Sequence, residues 1–124
     1  IRAYAHLGDA VYEVFVREKV IHLTSNAQKL HKLTVSFVNA EFQTEILAEI
    51  EKKEGLLNED ETDIIRRARN LTVTTARRTN QKIHRQSTAF EALIGYLYLN
   101  DKLRLSAVFE ILSGIIEENI QKTV

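Results

Sequence analysis

A chain of 124 residues with 44% hydrophobic content is the right length for a single domain, spanning 1–124, that buries a core without covalent staples. Without cysteine, disulfides and thiolate zinc sites are excluded, which fits a reducing cytoplasm, and no apolar run reaches the roughly 18 residues that a membrane helix needs. Basic and acidic side chains balance at 17 each, so signs of a nucleic-acid partner must be sought in the distribution of charge rather than in its sum.

Ile1 opens a chain that has no methionine, so further residues are expected upstream of it. The spacing predicts a first helix from about Arg2 to Val20, with Tyr4, Leu7, Val11, Val14 and Phe15 on one stripe. Ser25 or Asn26 can cap a second helix through Ala27, Leu30, Leu33 and Thr34. It gives way to a third, "SFVNAEFQTEILAEIEKKEG", which stops near Gly55. Asn58 starts a fourth, "NEDETDIIRRARN", with acids in its first turn and arginines in its last, as the helix dipole favours. From about Asn70 to Gln86 helical spacing lapses, and the segment reads as one long loop rich in threonine and cations. Helices resume with "STAFEALIGYLYL" and, after Asn100 and Asp101, with "KLRLSAVFEILSGIIEENIQ". With no proline, little glycine and weak strand signals, the expected fold class is all-α.

Charge is segregated along this chain. From Glu41 to Asp63 acids dominate, with only Lys52 and Lys53 against them. From Ile64 to Thr88 there is no acid, while Arg66, Arg67, Arg69, Arg77, Arg78, Lys82 and Arg85 accumulate. Such a run is the electrostatic footprint expected of a phosphate-backbone contact, although a solvated loop is the commoner fate of charge runs.

Two carboxylates stand out because each lies near a glycine in an apolar helix. At about 100° per residue, Asp9 falls off the Leu7, Val11 and Phe15 stripe, on a side shared with Ala5, Glu13 and Val16. A helix apolar on more than one side is packed on several, so Asp9 is expected to be partly enclosed and to need a partner. Gly8 costs ~1 kcal/mol relative to alanine inside a helix, which makes sense where another backbone approaches. Gly95, four residues after Glu91, repeats the pattern. Helices crossing at these glycines would bring Asp9 and Glu91 together, and facing carboxylates repel unless protonated or bridged by a hard cation such as Mg2+. That ion can activate water and stabilise phosphoryl charge during phosphodiester hydrolysis. A structural alternative exists for Glu91, because "TAFE" has the form of a capping box in which Thr88 caps and Glu91 reaches back. Glu13 is spaced to pair with Arg17, and His6, His22, His31 and His84 show no metal-ligand spacing.

"HLGDAVYEVFVRE" resembles the signature helix of ribonuclease III catalytic domains, and "STAFEALIGYLYL" resembles their second acidic helix. The ordered set "GDAVYE", "LHKLT", "RRARN" and "STAFEALIGYLYL" resembles the Mini-ribonuclease III family, whose members lack the attached double-stranded RNA-binding domain. The resemblance implies a homodimeric, Mg2+-dependent endonuclease that cuts double-stranded RNA, matures the ends of precursor 23S ribosomal RNA and leaves a 5′-phosphate and a 3′-hydroxyl. It implies that Asp9 is the catalytic aspartate and Glu91 the metal-binding glutamate. Two further acids of full-length ribonuclease III enzymes are replaced here by Ala5 and Thr88, which leaves the number of metals open, and Gln86 stands where an aromatic residue is expected. Arg66, Arg67, Arg69, Asn70, Arg77, Arg78, Lys82 and Arg85 are the candidate RNA contacts. A catalytically inactive RNA-binding protein of the same fold and a helical protein-interaction module are the alternatives. The apolar excess of the first helix independently favours a second copy as its cover.

Overall fold

The structure, a computed structural model, describes residues 1–71 and 80–123. They form α1 (Arg2–Val20), α2 (Ala27–Val38), α3 (Ala40–Lys52), α4 (Glu59–Arg69), α5 (Gln81–Asn100) and α6 (Lys102–Thr123), and no strand occurs among the described residues. The all-α expectation holds. No helix among them is long and apolar enough to cross a membrane.

Caps explain several of the boundaries. The Asn26 side chain accepts a hydrogen bond from the Lys29 amide at 3.0 Å and starts α2. A capping box starts α4, with Asn58 accepting from the Glu61 amide and Glu61 accepting from the Asn58 amide. Gly55, at φ 79°, supplies the left-handed residue that turns the chain after α3.

Two sequence-based boundaries are corrected. The third helix begins at Ala40, not within "SFVN", because Asn39 is extended at ψ 158° and divides the run. Its amide nitrogen donates to the Val35 and Ser36 carbonyls that end α2, while its oxygen accepts from the Phe42 amide that begins α3. The other is the segment expected as a loop to Gln86, which is helical from Gln81 in α5, while its residues 72–79 lie outside those described. Contacts from other helices hold these extra turns: Arg69 donates to Gln86 at 2.7 Å, and Thr44 donates to the Ile83 carbonyl at 3.4 Å. Thr88 therefore sits inside a helix, and the capping box proposed for Glu91 does not exist.

Helix α5 is central, packed against α1, α3, α4 and α6, and buries Phe90, Ala92, Leu93, Ile94 and Leu97 around most of its circumference. The inward side of α1 is Gly8, Tyr12, Val16 and Val20. The stripe expected there is the other apolar side: Leu7, Val11 and Phe15 are half-buried and Val14 is 55% exposed. Tyr12 anchors α1, donating to the Phe37 carbonyl at 2.7 Å and meeting Phe90 edge-on at 4.9 Å. Helix α6 adds Leu105, Val108, Leu112 and Ile116 to the core, and Phe109 stacks on Phe15 at 4.1 Å.

Candidate active site

The acid pair is built by main chain before side chains enter. A Cβ on Gly8 would fall 1.7 Å from the Glu91 carbonyl oxygen, and one on Gly95 would fall 1.9 Å from the Tyr4 carbonyl oxygen. Both glycines thus exist for a helix crossing that no side chain could enter. Across that crossing the Asp9 and Glu91 carboxyl groups come within hydrogen-bonding reach. Glu91 is half-buried, whereas Asp9 is exposed, which corrects the expectation that both are enclosed. The side of α1 that carries Asp9 turns to solvent as it leaves the α5 contact, and neighbouring His6 and Ala10 are exposed too.

Burial first, then hydrogen bonding and repulsion from Asp9, push the Glu91 carboxyl up to about 8, against the pull of a hydrogen bond from Gln43. Near neutrality one carboxyl of the pair therefore keeps a proton unless a cation replaces it. Two oxygen-donor side chains and one half-open face fit a cation that keeps several waters, as Mg2+ does. No group of three or more His, Cys, Asp or Glu side chains able to hold a metal gathers among the described residues, so dedicated all-protein ligation is not the fit.

The basic candidates divide. Arg69 lies in a tether that joins three helices, ion-paired with Glu51 of α3 and bonded to Gln86 of α5. Arg66 and Arg67 are exposed and flank Asp63, Arg67 at 3.7 Å. Arg69, Asn70, Lys82 and Arg85 line one cleft of about 490 Å3, with Lys82 and Arg85 exposed on α5. Arg77 and Arg78 lie outside the described residues. Glu13 pairs with Arg17 at 3.1 Å, as the spacing predicts, and all four histidines are exposed.

Sequence reasoning missed two residues. Gln43, 2% exposed on α3, donates to Glu91 at 3.3 Å; its signal is a polar residue at an inward position of an otherwise apolar helix side. Glu61, fully buried, receives two bonds from Arg104 at 2.7 and 2.9 Å. Burial alone would raise its carboxyl, but Arg104 and the Asn58 amide hold it below the ordinary value. This pair fastens the start of α6 to the start of α4.

An all-α frame that joins an acid of "HLGDAVYE" to an acid of "STAFEALIGY" is what the motifs imply, and the family described as Ribonuclease III domain matches residues 2–102. The class is thus a ribonuclease III domain. The Mini-ribonuclease 3 of Clostridium tetani is 39% identical over 121 residues, covering 94% of this chain and 78% of that protein. The Mini-ribonuclease 3 of Thermoanaerobacter sp. is 40% identical over 117 residues, covering 92% and 80%. A crystal structure of Fusobacterium nucleatum protein FN1578 superposes with a TM-score of 0.75 at 30% identity, covering 99% of this chain and 93% of that one. The chain belongs to the Mini-ribonuclease III branch of the ribonuclease III family and is an endoribonuclease of that type.

Proposed function

We propose that this chain is a Mg2+-dependent endonuclease for double-stranded RNA, working as a cytoplasmic homodimer on precursor 23S ribosomal RNA. The observation that carries the reading is the meeting of Asp9 and Glu91 at the Gly8 and Gly95 crossing. Asp9 and Glu91 would hold the ion between α1 and α5, Asp9 from the solvent side and Glu91 from the core side. When bound there, Mg2+ supplies an activated water and neutralises charge on the phosphoryl group under attack. The half-buried setting of Glu91 makes its charge count for more than it would in water.

A-form RNA offers shape, phosphates and 2′-hydroxyls rather than readable major-groove edges. Exposed Lys82 and Arg85 suit phosphate contact, with Asn70 lining the same cleft, and exposed Arg66 and Arg67 on α4 are the further candidates. A homodimer is supported by the apolar cleft of about 560 Å3 that Leu7, Val11, Val14, Tyr98, Leu105 and Phe109 leave open along α1. A second copy would cover it and bring two cutting sites to one duplex. The expected products are a 5′-phosphate and a 3′-hydroxyl.

Duplex RNA should be cut by the intact protein with Mg2+ and spared when EDTA is present. Asp9→Asn, which keeps volume and removes charge, should lower the rate by about a hundredfold or more while the helical signal is retained. Undiminished cleavage by Asp9→Asn would sink the metal-pair reading.

A further inference from the structure

Helix α3 turns Phe42, Ile46, Leu47 and Ile50 into the core together with one amide, Gln43. The Gln43 side chain is committed at its nitrogen: Nε2 donates to the Val38 carbonyl at 3.0 Å and to Glu91 Oε2 at 3.3 Å. At the other end, Oε1 is buried with no hydrogen-bond partner among the described residues. A buried acceptor left alone is a cost that an apolar side chain of similar size would avoid, so packing does not account for the amide. What an apolar side chain cannot do is donate to a carboxylate.

We infer that Gln43 is the positioning residue of the metal pair, holding the Glu91 carboxylate in place for a divalent cation shared with Asp9. The two hydrogens of one amide nitrogen lie in a plane at a fixed angle. The bond to Val38, at the end of α2, therefore sets the direction of the second hydrogen toward Glu91. Through this group α2 and α3, neither of which carries a candidate metal ligand, are tied by hydrogen bonds to the Glu91 carboxylate. A donor aimed at a ligating carboxylate fixes its rotamer and favours its ionised form, which is the form that binds a cation.

The inference rests on the proposed metal-dependent reading, and the test separates the two. Gln43→Met keeps volume and removes the amide, and Gln43→Asn keeps the amide but leaves it one methylene short of Glu91. In each, Mg2+ affinity of the RNA-free protein by isothermal titration calorimetry should fall about tenfold. The kcat for duplex RNA should fall about tenfold as well, with KM for RNA unchanged. In the wild-type protein, the nitrogen-labelled side-chain amide resonance of Gln43 should shift on Mg2+ addition and lose that response in Glu91→Gln, a readout that needs no substitution at position 43. Wild-type Mg2+ affinity and kcat in folded Gln43 variants, or an amide resonance indifferent to Mg2+, would overturn the inference. Asp9→Asn run in parallel separates the failures. If Asp9→Asn loses Mg2+ binding while the Gln43 variants keep it, only the role of Gln43 is wrong; if Asp9→Asn keeps Mg2+ binding and cleavage, the metal-pair reading itself falls.

Discussion

Gly8 and Gly95 lie backbone to backbone, and a side chain on either would run into the main chain of the other helix. Because the blocking atoms are the Glu91 and Tyr4 carbonyls, no rotamer change can relieve a substitution. Gly8→Ala should cost about 3 kcal/mol or more, a loss of roughly 10 °C in Tm, and Gly8→Leu should cost more still. As the helices part, Asp9 and Glu91 separate, so melting temperature and cleavage rate should fall together. A Gly8→Ala protein that melts like wild type would contradict the packing described.

The Glu91 carboxyl, raised from 4.5 to about 8, ties stability to pH. Over that window the folded chain binds more protons than the unfolded chain, so the metal-free protein should lose stability as pH rises from about 4.5 to about 8. Glu91→Gln should flatten this dependence and make the metal-free protein at least as stable as wild type at the upper end. Thermal melts in EDTA across the window decide it, and a wild-type slope that survives in Glu91→Gln would assign the effect elsewhere.

Glu61 runs the opposite way. Its carboxyl is held below the ordinary value, so its contribution is present above the unfolded pKa and is lost as pH falls through the folded one. Arg104→Met should leave a fully buried carboxyl without its partner and cost about 3 to 5 kcal/mol by chemical denaturation near neutral pH. A cost under about 1 kcal/mol would show that the pair behaves like an exposed ion pair.

RNA affinity should carry the mark of the basic region. Replacing Arg77, Arg78, Lys82 and Arg85 together by alanine should weaken binding and reduce the salt dependence by a slope of roughly 1 per lost phosphate contact, with turnover at saturating RNA changed less. An unchanged slope would return these residues to the status of a solvated surface.

Val14 offers the cleanest test of assembly, because it is 55% exposed in the open apolar cleft, whose lining includes neither Asp9 nor Glu91. Val14→Glu should change the folding free energy of the single chain by no more than about 0.5 kcal/mol yet shift sedimentation from dimer to monomer at micromolar protein. A wild-type chain that sediments as an active monomer would remove the dimer from the mechanism.

Periodicity and caps carried the helices that stand on local chemistry. Asn26, Asn58 and Gly55 mark ends that depend on residues a few positions away, and Gly8 with Gly95 marked the crossing because a helix tolerates such glycines only for a close approach. What escaped depends on distant partners. Asn39 sits in a run of helical spacing, and its capping role emerges only when α2 ends. Gln81 to Gln86 look irregular alone and are held helical by Arg69 and Thr44 from other helices. At the site, the two acids were legible from their glycines, but the exposure of Asp9 depends on how α1 leaves α5, and the reach of Gln43 on where α3 lies. Asp9 and Gln43 are thirty-four positions apart, and Gln43 and Glu91 are separated by 48.

The corner at Asn39 also divides the molecule into places where chain length is fixed and places where it is free. One inserted residue there would turn α3 by about 100° relative to α2 and carry Gln43 away from both Val38 and Glu91. The turn at Gly55 keeps less: the space beside its Cα is open and exposed, and the hydrogen bond across it, from the Leu56 amide to the Lys53 carbonyl, orients no candidate site residue. An epitope tag or a peptide linker is therefore best spliced between Lys53 and Leu56, and a library of random insertions should yield active clones there while none survive between Val38 and Ala40.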